Sequence, residues 1–125
     1  MQTISLTRDT AMLSLAVDEL KLARRVIHEV ALGSLEEKRF RSTIGYTYHD
    51  AVSLRDSLDQ RLDQSAGAEV TLTVTGDDVA VISRCLKWAL DDFAGDEFQI
   101  RVGYAREAAW QQLDEWEHLG ADLSA

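Results

Sequence analysis

Residues 30–46, VALGSLEEKRFRSTIGY, and residues 88–104, WALDDFAGDEFQIRVGY, align without a gap at a spacing of 58 positions (88 − 30). Ala31 meets Ala89, Leu32 meets Leu90, Phe40 meets Phe98, Gly45 meets Gly103 and Tyr46 meets Tyr104. Leu35 meets Phe93 and Ile44 meets Val102, and the register runs on through Ala51 with Ala109, Val52 with Trp110, Asp56 with Asp114 and Leu58 with Trp116. A chain written this way is expected to fold as two like units. At about 60 residues each, neither unit can build a comfortable core alone, so the two are expected to share one. The expectation is a single domain over residues 1–125, built from repeats at about 1–64 and 68–120, with the linker-like DQSAGAE between them.

Composition agrees with a folded chain. Hydrophobic residues make up 46%, too many for disorder, and the absence of proline permits long uninterrupted helices. Met1 is followed by the polar run QTISLTRDT, which predicts no secretory signal. No apolar run approaches the ~20 residues of a membrane span. Cys85 has no second cysteine to pair with, which suits a reducing compartment. It stands opposite Ile27 in the repeat and is expected to be a small core hydrophobe. The expected location is the cytoplasm.

Residues 2–7, QTISLT, alternate, with Ile4 and Leu6 on one face, and predict a short half-buried strand. From about Asp9 to Leu32 a helix is expected, because Leu13, Ala16, Val17, Leu20, Ala23, Ile27, Val30 and Ala31 recur at three- and four-residue steps. Gly33 then stops it. Residues 34–45 predict a short helix capped by Ser34, with Glu37 completing a capping box, Phe40 and Ile44 inward, and Gly45 in a left-handed turn. Thr47 is expected to cap a helix over 48–63. EVTLTVT, residues 69–75, repeats the strand pattern with Val70, Leu72 and Val74 inward. Thr75, Gly76 and Asp77 begin a helix striped by Val79, Ile82, Leu86, Ala89, Leu90 and Phe93. A last helix runs from about Ala105 to Leu119, with Ala109, Leu113 and Trp116 inward, before a frayed tail, GADLSA.

Matching Ile4 to Val70 takes an offset of 66 (70 − 4), so the first long helix is expected to be about two turns longer than its counterpart. The two strands, 2–7 and 69–75, are expected to pair as an antiparallel ribbon across an approximate two-fold. The fold class is therefore α+β, mostly α: a tandem repeat of strand, long helix, short helix and helix.

Charge is where the halves differ most. Net charge is −9 overall. Residues 1–65 hold 9 basic against 10 acidic side chains, and residues 66–125 hold 4 against 12. An acidic half repels nucleic-acid phosphate and attracts a basic protein surface; the plainer use of acidity is solubility. Phe98 and Val102-Gly103-Tyr104 followed by a helix have the look of a helix-turn-helix. A DNA reader, however, places donors in the groove, and the helix YAREAAWQQLDEWEHL sets Arg106 against Glu107, Asp114, Glu115 and Glu117. A purely structural helical corner is the better reading, and no nucleic acid is expected.

Catalytic and metal chemistry find no support. His28, His49 and His118 lie far apart with no partner at ligand spacing. Asp91, Asp92, Asp96 and Glu97 resemble a calcium loop in charge alone. There is no nucleophile elbow, phosphate-binding loop or dinucleotide fingerprint, so neither catalysis nor a cofactor is expected. Trp88, Trp110 and Trp116 all fall in the second half. Trp116 fits core enlargement, whereas Trp110 lies beside the apolar stripe near Glu107 and Asp114. An exposed tryptophan among acids is a typical protein-binding anchor.

FQIRVGYAREAAWQQLDEW is similar to a segment of a group of small, largely uncharacterised bacterial proteins. These carry a helix ending in AL, a variable loop, EF-x-x-R-x-G and a helix beginning REEA. The matching residues are Ala89 and Leu90, then Glu97, Phe98, Arg101 and Gly103, then Arg106, Glu107 and Ala108, over roughly 30 residues. The first half keeps Phe40 and Gly45 but departs at Thr43-Ile44 and His49-Asp50. Acidic bacterial proteins of this size resemble, as a class, immunity proteins, which neutralise a toxin by docking on it. That analogy implies no site residues of its own.

The resulting expectation is an acidic protein-binding inhibitor of immunity type, docking on a basic partner such as a nuclease toxin through Asp91, Asp92, Asp96, Glu97, Glu107, Trp110 and Asp114. A structural or adaptor homodimer, joined through the outer edge of 2–7 or 69–75, is the competing reading.

Overall fold

The computed structural model describes residues 1–124. Three strands form an antiparallel sheet in the order β1 (Gln2–Leu6), β2 (Thr10–Ala16) and β3 (Glu69–Thr75). Helix α1 (Val17–His28) runs on through a π-helical segment, Glu29–Ser34. After it come α2 (Glu37–Ile44) and α3 (Tyr48–Gln64), and β3 is followed by α4 (Gly76–Asp92), α5 (Glu97–Val102) and α6 (Arg106–Ser124). The class is α+β and mostly helical.

The sheet corrects the expected two-stranded ribbon. Residues 2–7 and 69–75 do not pair: β2 lies between them, bonded to β1 on one edge and to β3 on the other. Residues 10–16 are strand, not the first turns of a helix. Ala11, Leu13 and Leu15 are buried and alternate with more exposed neighbours, the period of a strand with one covered face. Leu13, Ala16, Val17 and Leu20 also satisfy the helical period, which is why the stretch reads both ways. The backbone groups of β3 need a partner, and β2 supplies it. The first long helix therefore starts at Val17 and has no extra two turns. β1 is an exposed edge strand with a bulge between Thr3 and Ser5, and Ile4 and Leu6 are 54% and 48% exposed rather than inward.

Beneath the sheet the helices bury one continuous apolar cluster drawn from both halves of the chain. Its burial pattern is periodic along the sequence. A shift of 59 residues (70 − 11) carries Ala11, Leu13 and Leu15 onto Val70, Leu72 and Val74. The same shift carries the buried Leu20, Leu22, Ala23, Val26, Ile27, Val30 and Ala31 onto Val79, Val81, Ile82, Cys85, Leu86, Ala89 and Leu90. From Leu35 and Phe93 onward the shift is 58 (93 − 35), and Phe40, Ile44, Ala51 and Leu58 map onto Phe98, Val102, Ala109 and Trp116, all buried. One additional residue thus lies between Ala31 and Leu35, inside the π-helical segment, where a wider turn takes it up. By burial alone, Val30 and Ala31 match Ala89 and Leu90, whereas Leu32 is 42% exposed. Cys85, buried as expected, stands opposite Val26 rather than Ile27.

The helix ends follow local chemistry with two exceptions. Thr47 Oγ1 accepts from the Asp50 amide at 3.1 Å, Thr75 Oγ1 accepts from the Asp78 amide at 3.1 Å, and Asp78 accepts in return from the Thr75 amide at 2.9 Å. Gly33 does not end its helix and Ser34 does not cap the next. The π-helical turn continues through both, Leu35 N donates to Val30 O at 3.0 Å, and α2 starts after Glu36 with no side-chain cap. Gly45, at φ +86°, ends α2 where Arg84 donates to the Ile44 carbonyl at 2.9 Å. The positive φ demands glycine, and a Cβ there would also push the Arg84 guanidinium from its 2.9 Å approach. The tail is no loose end: α6 continues through GADLS, where fraying was expected, and Ala125 lies outside the described residues.

Candidate functional site

The acidic residues singled out above gather where α4 ends, α5 passes and α6 begins. Arg106, on the first turn of α6, organises this corner. Its Nη1 donates to the Leu90 carbonyl at 2.8 Å, its Nε to the Gly95 carbonyl at 3.2 Å, and its Nη2 to the Phe93 carbonyl. The guanidinium also sits 5.6 Å from the centre of the buried Phe98 ring. The last carbonyls of α4 have no helical partners of their own, and a cation that bonds them also meets the negative end of the helix dipole. Arg106 is thereby engaged with backbone. It is the tie that holds the 93–95 loop against α6.

Each acid then has a defined setting. Asp91 and Asp92 are exposed in the last turn of α4, a turn without a basic residue of its own. Carboxylates there oppose the helix dipole and cost stability. Lys87 reaches Asp91 at 3.5 Å and Arg101 reaches Glu97 at 3.8 Å, both as exposed pairs one helical turn apart. Such pairs are weak and leave the carboxylates available. Asp92, Asp96 and Glu107 enter no ion pair among the described residues. Phe93 closes α4, packs edge-on against Trp88 at 5.5 Å and lies 5.1 Å under the Arg101 guanidinium, so the loop is seated on aromatic surface.

On α6, Glu107, Trp110 and Asp114 follow at three- and four-residue steps and share one stripe. Trp110 is 45% exposed, while Trp116 is fully buried with its indole N–H donated to Gln112 at 3.3 Å. His118, a turn beyond Asp114, lies 3.8 Å from its carboxylate and donates to its backbone carbonyl at 3.0 Å. That carbonyl, then the carboxylate charge, hold the imidazole pKa above its ordinary value. The Arg106 tie thus holds the segment that carries Asp91, Asp92, Asp96 and Glu97 against the first turn of α6, which carries Glu107, with Trp110 and Asp114 further along that helix.

Two surfaces were not anticipated. Lys21, Arg24 and Arg25 of α1 and Arg101 of α5 line one shallow hollow next to Ile100, which is 79% exposed. Arg24 is paired with Asp59 at 2.9 Å and Arg25 with Glu29 at 3.0 Å, so this basic strip is largely neutralised. The second is a groove between β3 and α3. Both arise from residues distant in sequence, and the polar face of α1 was the one local signal for the first. Among the described residues no set of His, Cys, Asp or Glu converges in a way that would hold a metal ion, and no helix is long and apolar enough to cross a membrane.

Compared with family models, curated proteins and solved structures, the chain matches none of them.

Proposed function

We propose that the chain is an acidic protein-binding inhibitor of immunity type, which docks on a basic partner through the α4–α6 corner and blocks it sterically and electrostatically. A nuclease toxin, whose substrate groove must carry cations, is the partner class this chemistry fits. The observation that carries the reading is Trp110, 45% exposed on one stripe with Glu107 and Asp114, on the helix whose first turn Arg106 ties to the acidic 91–97 segment. Trp110 supplies the desolvated apolar anchor, and the carboxylates steer and orient the encounter. Asp91 and Asp92 stand where the helix dipole disfavours them, as residues kept for binding rather than folding do. The reading includes no catalytic step and no cofactor, and it places the protein in the cytoplasm.

The test pairs two measurements on Asp92→Lys with Glu97→Lys. Association with the captured basic partner slows and becomes less sensitive to salt. Unfolding stability should change little: Asp92→Lys puts a cation at a helix C-terminus, worth about 0.3–1 kcal/mol, and Glu97→Lys offsets it by putting one in the first turn of α5 and breaking the exposed pair with Arg101. Unchanged association with unchanged folding removes the electrostatic half of the proposal.

We also infer that the chain is a duplicated unit, β2 to α3 and β3 to α6. It is supported by the two burial patterns related by 59 and then 58 residues, by the order of elements, and by Gly45 and Gly103 at φ +86° and +84°. Deleting one residue within the π-helical segment should restore regular α-helix and keep the fold; loss of cooperative unfolding in every such deletion would contradict it. A homodimer through the edge of β1 is the second reading, favoured by the exposure of Ile4 and Leu6. Sedimentation equilibrium separates the two, since a 14.0 kDa species at all concentrations excludes the dimer.

A further inference from the structure

β3 is paired on one edge only. Along its other edge, facing α3, runs a groove of about 480 Å³. Leu72, Thr73, Val74 and Thr75 all line it. Successive strand side chains point to opposite faces, so four in a row can share a hollow only along a strand edge. Leu54 and Leu58 of α3 floor the groove with Leu72 and Val74, and Ser53 and Ser57 leave room above them. Asp50, Asp77 and Asp78 stand on the rim. Asp77 accepts from the Tyr46 hydroxyl at 2.8 Å and Asp78 from the Thr75 amide at 2.9 Å, and none of the three meets a basic side chain among the described residues.

The opposite edge of the β2–β3 pair is filled. There β1 lies antiparallel on β2, from Gln2 opposite Ser14 to Leu6 opposite Ala11. At its start the Met1 side chain is 6% exposed and its ammonium lies 3.2 and 3.0 Å from the two carboxylate oxygens of Glu19 and 3.8 Å from Glu115. The hollow beside that ammonium is lined by Asp18, Glu19 and Leu22 from α1, by Tyr104 from the turn before α6, and by Gln111, Gln112 and Glu115 from α6. The shifts that relate the two burial patterns carry this edge onto the empty one. By 59 residues Asp18, Glu19 and Leu22 become Asp77, Asp78 and Val81; by 58 residues in reverse Tyr104, Gln111, Gln112 and Glu115 become Tyr46, Ser53, Leu54 and Ser57, and all of these line the β3 groove. The two edges are counterparts. One is occupied by the chain's own extended segment with a cation against an N-terminal helix carboxylate, and the other is open.

We propose that the β3 groove binds an extended segment of a partner protein, which adds as a fourth strand antiparallel to β3 and sets a cationic amino-terminal end against Asp77 and Asp78. Main-chain pairing with β3 supplies the affinity of such an added strand, and the apolar floor selects alternate side chains. The acids Asp50, Asp77 and Asp78 select a cationic partner over an anionic one. The orientation rests on the duplicated-unit reading above. The surface is separate from the α4–α6 corner.

The test is an NMR titration of the full chain with the free-amine peptide MQTISLTRD, the segment that fills the counterpart edge. Saturable shifts are expected at the amides of Thr71–Thr75, Ser53 and Ser57, with a Kd tighter than about 1 mM. Acetylating the peptide amine should weaken binding several-fold, and Asp77→Lys, at an exposed site, should weaken it comparably. Ser53→Trp with Ser57→Trp fills the groove and should abolish binding; if that variant does not fold, Asp77→Lys decides the matter alone. The chain carrying Asp92→Lys and Glu97→Lys should bind the peptide normally, which separates failure here from failure at the α4–α6 corner. No saturable shift up to about 1 mM overturns the proposal. So do shifts confined to Ala11–Ser14, which would mean that the peptide displaces β1, and so does concentration-dependent dimerisation through β3 without peptide.

Discussion

Leu13 of β2 and Leu72 of β3 face each other at the centre of their ladder, and the 59-residue shift (72 − 13) carries the first onto the second. A ladder whose central pair maps onto itself is what a two-fold between like strands produces. Both side chains are buried, at 0% and 5% exposure. Leu13→Ala and Leu72→Ala are each expected to cost about 2–5 kcal/mol in urea unfolding. As direct neighbours they should couple by about 0.5–3 kcal/mol in the double variant. Strongly unequal single costs would show that the two positions are not structural counterparts.

Trp110 and Trp116 lie six residues apart on α6 and face opposite environments. Trp116→Ala empties a buried site and leaves Gln112 without its partner, so a loss of about 3–5 kcal/mol is expected. Trp110→Ala should stay within about 0.5 kcal/mol of the parent in stability yet weaken partner capture. Equal losses of stability would put Trp110 in the core and remove the anchor.

His118 should titrate above 6.5, its ordinary value. Asp114→Asn should lower the midpoint only partway, because the backbone carbonyl at 114 still accepts the Nδ1 proton. A folded pKa above the unfolded one means that the imidazolium contributes stability below pH 6.5 and loses it as pH rises through the folded midpoint. Protonation also adds a positive charge beside Asp114, so association with a basic partner should slow as pH falls through that midpoint. An NMR titration with association rates measured alongside checks both.

Cys85 should be chemically silent in the native state. Burial pushes its thiol up to about 12, which leaves almost no thiolate at neutral pH. Reaction with a disulfide reagent at pH 8 should be slow and should accelerate with urea as the core opens. Fast native labelling would place the thiol at the surface.

Much of the second half was legible because its signals were short-range. The helix start at Thr75, the turn at Gly103 and the Ala109–Trp116 stripe depend on neighbours within one or two turns. The acids of the α4–α6 corner were legible as charge, but their grouping was not. It depends on Arg106 turning from its acidic neighbours to three carbonyls of a preceding loop, a choice among partners that only proximity in space offers.

Residues 10–16 mark the boundary between what local pattern and tertiary contact decide. The chain alone settled that Leu13, Ala16 and Val17 belong near the core, that Gly45 and Gly103 end short helices, and that one pattern of letters recurs at a spacing of 58 residues. The helical period predicts that 10–16 coils, although its apolar residues satisfy the strand period equally. β3 settled it by offering a row of unpaired backbone groups at strand spacing. Side-chain hydrophobicity places a residue inside or outside; only another stretch of backbone can decide which hydrogen bonds it makes there.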